Sequence, residues 1–159
     1  MPDLADTEVK VYRGFSEELL DSMHTLESGI FDDPWSRATL AGKCEHKHHL
    51  LGLIALVNGQ PAAFKIGYEI SSRLYYSWLG GVLPDMRHRG LALHLMDVQH
   101  QLAAQMGYQT VRTHTHNKFR QMLLLNIRYG FNVVGVINDR ADGEPTIVLD
   151  KTLPQNKPV

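Results

Sequence analysis

Residues 80–96 read GGVLPDMRHRGLALHLM, and the fold turns on how this stretch is parsed. It begins as the end of a strand, passes Pro84, turns on the basic loop Arg87-His88-Arg89-Gly90-Leu91-Ala92, and enters a helix. A helix N-terminus presents unpaired N–H groups and a partial positive charge. Two arginines and a glycine that permits close backbone approach would complete a phosphate cradle. The same residues also fit an ordinary strand–turn–helix connection with a solvated basic loop, so the flanking sequence has to decide.

Downstream, residues 90–106 carry the stripe Ala92, Leu95, Met96, Leu102, Ala103 and Met106 at helical spacing, stopped by Gly107. Residues 109–116 alternate as a strand. A strand–helix–strand unit of this length predicts a right-handed crossover and a parallel pair. A helix over 118–129 ends at Gly130. Strands over 131–137 and 145–153 flank the turn-rich NDRADGEP. Upstream, residues 8–14 read as a first strand. Ser16 reads as the N-cap of a helix carrying Leu19, Leu20, Met23, Leu26 and Ile30. A second helix is predicted over 34–44, with Pro34 in its first turn. Strands over 49–57, 61–70 and 74–83, joined by Asn58-Gly59 and Ser71-Ser72-Arg73, predict an antiparallel meander. The fold class is α+β: a mixed, mostly antiparallel central sheet flanked by helices.

The chain has 159 residues and 43% hydrophobic content, which predicts one domain with a core over about 8–153. Lys plus Arg number 16 against 17 for Asp plus Glu. That balance argues against nucleic acid as a partner, which selects a basic surplus. The single cysteine, Cys44, allows no intrachain disulfide, and the polar N-terminus carries no signal-peptide pattern, so the cytoplasm is expected. No apolar run is long enough for a membrane span. Cys44, His46, His48 and His49 do not have a zinc spacing, and a solvated helix end is the expected reading, with no metal.

The element order and two motifs together resemble the GNAT family of acetyl-CoA-dependent N-acetyltransferases. That family's loop is Gln or Arg, then x-x-Gly-x, then Gly or Ala; Arg87, Gly90 and Ala92 match each fixed position. Asn117 after the fifth strand, and Tyr129-Gly130-Phe131 closing a helix, resemble the family's second segment. The resemblance implies the GNAT acyl-CoA N-acyltransferase fold with acetyl-CoA as co-substrate. It implies pyrophosphate held by the backbone of Arg87, His88, Arg89, Gly90, Leu91 and Ala92. It also implies pantetheine paired along Gly81, Val82 and Leu83, and cofactor contact from Asn117, a residue equally suited to N-capping. Gly80-Gly81 reads either as a bulge that opens the sheet or as close packing. The family often places a tyrosine, as acid for the leaving thiolate, where this chain has Asn126. Asn126 is expected to face inward, either toward the ligand or bonded to nearby backbone.

The implied reaction is attack of a primary amine, of a small molecule or a protein, on the acetyl thioester in a ternary complex. The amine needs a base. Glu69, the acid in the meander's central strands, is the first candidate and Tyr76 the second, with a solvent-facing strand end as the other reading of Glu69. Tyr76 and Trp78, on one face with Gly80 by alternation, wall the acceptor side or pack in the core. His114 and His116 share a face beside Asn117. The alternative function is a non-catalytic acyl-CoA-binding or sensing domain, and a homodimer is a possible assembly.

Overall fold

Two serines start the helices that cover one face of the sheet. In the computed structural model, which describes residues 4–155, the Ser16 hydroxyl accepts the Leu19 N–H at 3.1 Å and opens α1 (Glu17–Ile30). Ser36 does the same for Thr39 at 3.2 Å and opens α2 (Arg37–Cys44). The second helix therefore starts three residues later than expected. Ser36 supplies the cap that a first-turn proline cannot, and Pro34 stays in the connection.

The strands are β1 (Thr7–Arg13), β2 (Leu51–Val57), β3 (Gln60–Ser71), β4 (Leu74–Val82), β5 (Thr110–His116), β6 (Asn132–Ile137) and β7 (Thr146–Thr152). They form one sheet in the order β1-β2-β3-β4-β5-β7-β6. β1 to β4 make the antiparallel meander. The crossover helix α3 (Leu91–Gln105) then sets β5 parallel to β4, and β7 is antiparallel to both β5 and β6. The short helix α4 (Arg120–Arg128) links β5 to β6.

The central strands of the sheet are buried on both faces. Leu19, Leu20, Met23 and Leu26 of α1 pack with Leu40 and Cys44 of α2 against Ile54, Phe64 and Ile66. Leu91, Leu95, Met96 and Ala103 of α3 pack on the other face against Leu51, Leu53, Tyr75 and Val111. Two-sided burial explains why β2 reads as a continuous apolar run. At the sheet's edge, β6 exposes Val133, Val134, Val136 and Ile137. No helix among the described residues is long and apolar enough to cross a membrane. Cys44 is a free, buried thiol whose pKa burial pushes up to about 11.

Candidate active site

The parallel pair β4–β5 is joined only from Leu74↔Thr110 to Ser77↔Thr113. Beyond that point each strand keeps its outer neighbour: β4 stays with β3 through Val82↔Ala63, and β5 with β7 through His116↔Thr146. A V-shaped gap opens between residues 78–82 and 114–116, edged by peptide groups that lack strand partners. The Leu83 N–H donates to the Ala62 carbonyl at 2.9 Å. Ladder alternation then turns the peptide groups of Gly80 and Val82 into the gap, and those of Gly81 and Leu83 toward β3. Of the three strand-end residues read as pantetheine partners, Val82 has this orientation. Arg87 Nε donates to its carbonyl at 3.3 Å.

The bulge in β4 lies at Trp78, not at the paired glycines. Ile66 pairs with Leu79 and Gly67 with Ser77, leaving Trp78 as the extra residue, while Gly80 and Gly81 stay in register with Lys65 and Phe64. The glycines serve close packing instead. A Cβ on Gly81 would stand 3.0 Å from Ile30 Cγ2, and one on Gly80 would stand 3.2 Å from the Phe64 carbonyl. The bulge also reverses alternation. Trp78 and Leu79 both pack toward α1 and α2, so Gly80 lies on the α3 face rather than with Tyr76 and Trp78.

At the gap's mouth the chain passes a 3-10 turn, Pro84–Met86, and reaches the basic loop. His88 sits at φ 63 and Gly90 at φ 85, both left-handed. Gly90 is the N-cap of α3 and supplies no side chain to its free amides. Among the described residues no acceptor meets the N–H groups of residues 88–93. Consecutive free amides at a helix start form an anion-binding concavity. Arg87, His88 and Arg89 are exposed around it, and the buried Leu91 side chain anchors the loop to the core. An anionic group fits this cradle.

Asn126, the buried residue of α4, is 4% exposed and its side-chain amide has no partner among the described residues. Asn117 is exposed at the end of β5. It is not the N-cap, because α4 starts later and Phe119 holds that position without a side-chain bond.

On the α1/α2 face, an aromatic group stands beside the vertex. Tyr68 meets Tyr76 edge-on at 5.3 Å and Trp78 at 5.7 Å, and His114 lies 4.9 Å from the Tyr76 ring, centroid to centroid. Burial, then the neighbouring Tyr68, pushes the Tyr76 phenol up to about 12. It is a neutral donor at neutral pH and a poor base. His114 is exposed to solvent; partial desolvation and next the Arg112 charge hold its imidazole below its ordinary pKa, so it is able to accept a proton.

Glu69 is not brought to this gap. Its carboxylate accepts the Tyr108 hydroxyl at 2.5 Å and lies 3.9 Å from His49 Nε2. Tyr108 follows the C-terminus of α3, a 15-residue helix whose other end carries the cradle, about 22 Å away. Cys44 and the histidines after it do not converge either. Among the described residues no group of three or more His, Cys, Asp or Glu is placed to hold a metal.

Four polar residues on the α3 face went unread in the sequence: Lys65, Gln99, His100 and Tyr108. Gln99 and His100 are 0% and 7% exposed, and their polar side-chain atoms have no partner among the described residues. The signal was present, since residues 91, 95, 99 and 103 share one helical stripe.

Residues 5–117 match the family model of the acetyltransferase (GNAT) domain. The chain belongs to the GNAT acetyltransferase family. No curated protein matches it in sequence. Among solved structures, the ribosomal-protein-S18-alanine N-acetyltransferase of Escherichia coli is similar with TM-score 0.79 at 20% identity, covering 94% of this chain and 97% of that one. A GNAT acetyltransferase of Elizabethkingia anophelis with acetyl-CoA bound gives TM-score 0.73 at 16% identity, covering 93% and 99%. Nourseothricin acetyltransferase gives TM-score 0.72 at 15% identity, covering 94% and 99%. The fold expected from the sequence is the one found.

Proposed function

We propose that the protein is an N-acetyltransferase that moves the acetyl group of acetyl-CoA to a primary amine in a ternary complex. The carrying observation is the gap that opens at Ser77 and Thr113, with a cradle of free amides at its mouth. Acetyl-CoA is the co-substrate, and when bound it supplies an acyl carbon activated by a thiol leaving group. The amides of residues 88–92, with Arg87 and Arg89, fit its pyrophosphate. Val82 and Gly80 offer peptide groups to its arm, as a sheet edge does to an added strand. Asn117 and Asn126 line the opposite wall.

The acceptor amine approaches from the α1/α2 face, along Tyr68, Tyr76 and Trp78. An amine is a nucleophile only after losing a proton. His114 is our base, because it is held neutral and stands beside Tyr76 past the vertex. Tyr76 donates a hydrogen bond rather than accepting a proton. Glu69, bonded to Tyr108, is assigned to supporting the end of the sheet.

We place the protein in the cytoplasm, on the strength of its free thiol. A homodimer through the open β6 edge belongs to the same proposal, since four apolar side chains lie exposed on a strand that is paired on one side only.

Thiol release from acetyl-CoA across a panel of small amines and N-terminal peptides tests the enzyme. Turnover with any acceptor supports it. Asn126 at the expected tyrosine position favours the second reading, a non-catalytic acyl-CoA-binding domain. Tight binding without turnover across the panel would establish that reading instead.

A further inference from the structure

Lys65 carries a charge into a place that offers it no partner. Phe64 and Ile66 of β3 point into the α1/α2 core, so alternation turns Lys65 to the α3 face. There it stands between Leu53 of β2 and Gly80 of β4. Its Cγ lies 3.6 Å from where a Cβ of Gly80 would be, so its stem runs against the strand that borders the gap. Its charge reaches His100 of α3, whose ring meets Phe131 at a 59° tilt with centroids 5.5 Å apart. Among the described residues its ammonium meets no carboxylate and no hydrogen-bond acceptor. Leu53 and Gly80 flank it on the sheet, and its charge acts on the His100 ring together with the like charge of Lys151. Lys65 is half-buried, and a lysine covered to that extent usually finds an anion.

The reaction proposed above creates an anion in this gap. Resting on that reading, we infer that Lys65 is the proton donor to the thiolate that acyl transfer releases. When the carbon–sulfur bond breaks, its electron pair stays on sulfur. A proton passes from Lys65 Nζ to that sulfur, giving the free thiol and a neutral amine, which regains a proton from solvent. Asn126, where a tyrosine was expected, has no proton acidic enough to give. Burial lowers the Lys65 pKa to about 8, close to an ordinary thiol, and donor and acceptor so matched exchange a proton readily.

The test needs no acceptor and uses coenzyme A itself. The thiolate absorbs in the near ultraviolet, so its ionisation can be followed on the bound ligand. On the native protein the bound thiol should ionise with a constant at least about tenfold larger than free coenzyme A. Lys65→Met should remove that gain while coenzyme A still binds. Lys65→Arg, whose guanidinium keeps the charge at every pH, should restore the ionisation. Failure of coenzyme A to bind the native protein would overturn the cleft assignment and this inference with it. Binding with an unshifted thiol, or a shift unchanged in Lys65→Met, would overturn the role of Lys65 alone. If Lys65→Met does not fold, the native measurement and Lys65→Arg still decide.

Discussion

His100 should make this protein acid-labile, through one buried ring. Both ring nitrogens lack a partner among the described residues, and 7% of the residue is exposed. Burial first, then the charges of Lys151 and Lys65, lowers its pKa from 6.5 to about 3. The unfolded chain therefore takes up a proton below about pH 6.5 that the folded one refuses until about pH 3. The stability associated with the neutral ring is intact above pH 6.5 and is lost as pH falls toward 3. The loss is about 1.4 kcal/mol at about pH 5.5 and about 2.7 kcal/mol at about pH 4.5. For a chain of this size that is a fall of roughly 5–10 °C in melting temperature by the lower pH. His100→Leu removes the titrating group, and carboxylate effects common to both proteins cancel in the difference. Urea unfolding of both at about pH 8 and about pH 4.5 should show the native protein losing roughly 3 kcal/mol more than the variant. Equal losses would mean that His100 is protonated in the folded state or that its site is open to water, and the argument from burial would fail.

Gly90→Val should lower coenzyme A affinity by about a hundredfold or more in calorimetry, because a β-branched residue at φ 85 is strained and fills the cradle. Unchanged affinity would remove the loop from the site. Glu69→Gln should leave turnover within about twofold while weakening the Tyr108 bond and costing about 1 kcal/mol in denaturant unfolding; a tenfold loss of turnover would return Glu69 to the mechanism. His114→Gln should slow turnover by about a hundredfold. In the native enzyme the acid limb of the rate profile should fall below pH 6.5, following the lowered imidazole pKa. Val134→Lys should shift the protein to monomer in sedimentation with acetyl-CoA binding intact; a native protein that is already monomeric would refute the β6 assembly.

The elements were legible because each rests on local chemistry. The Ser16 cap, the Asn58-Gly59 turn and Gly107 after α3 are decided within a few residues of themselves. The parallel step from β4 to β5 followed from crossover length alone. What stayed hidden depends on register. Nothing in LYYSWLGGVL distinguishes a bulge at Trp78 from one at Gly80, because the slip is set by which β3 residue faces each β4 residue. That one slip carried Gly80 to the α3 face and separated it from Tyr76 and Trp78. Glu69 was overrated for a related reason. Its strand was read correctly, but only the fold shows that Tyr108, 39 positions later, takes its carboxylate. Lys65 of β3 and Gln99 and His100 of α3 interrupt apolar patterns as single polar residues, so periodicity alone does not mark them. Phe64 and Ile66 point into the α1/α2 core, so the lysine between them is turned to the α3 face, where it is half-buried. A polar residue that periodicity places inside a core has to be bonded, hydrated or used. On that ground these three residues say more about chemistry than the exposed basic loop from which the site was first read.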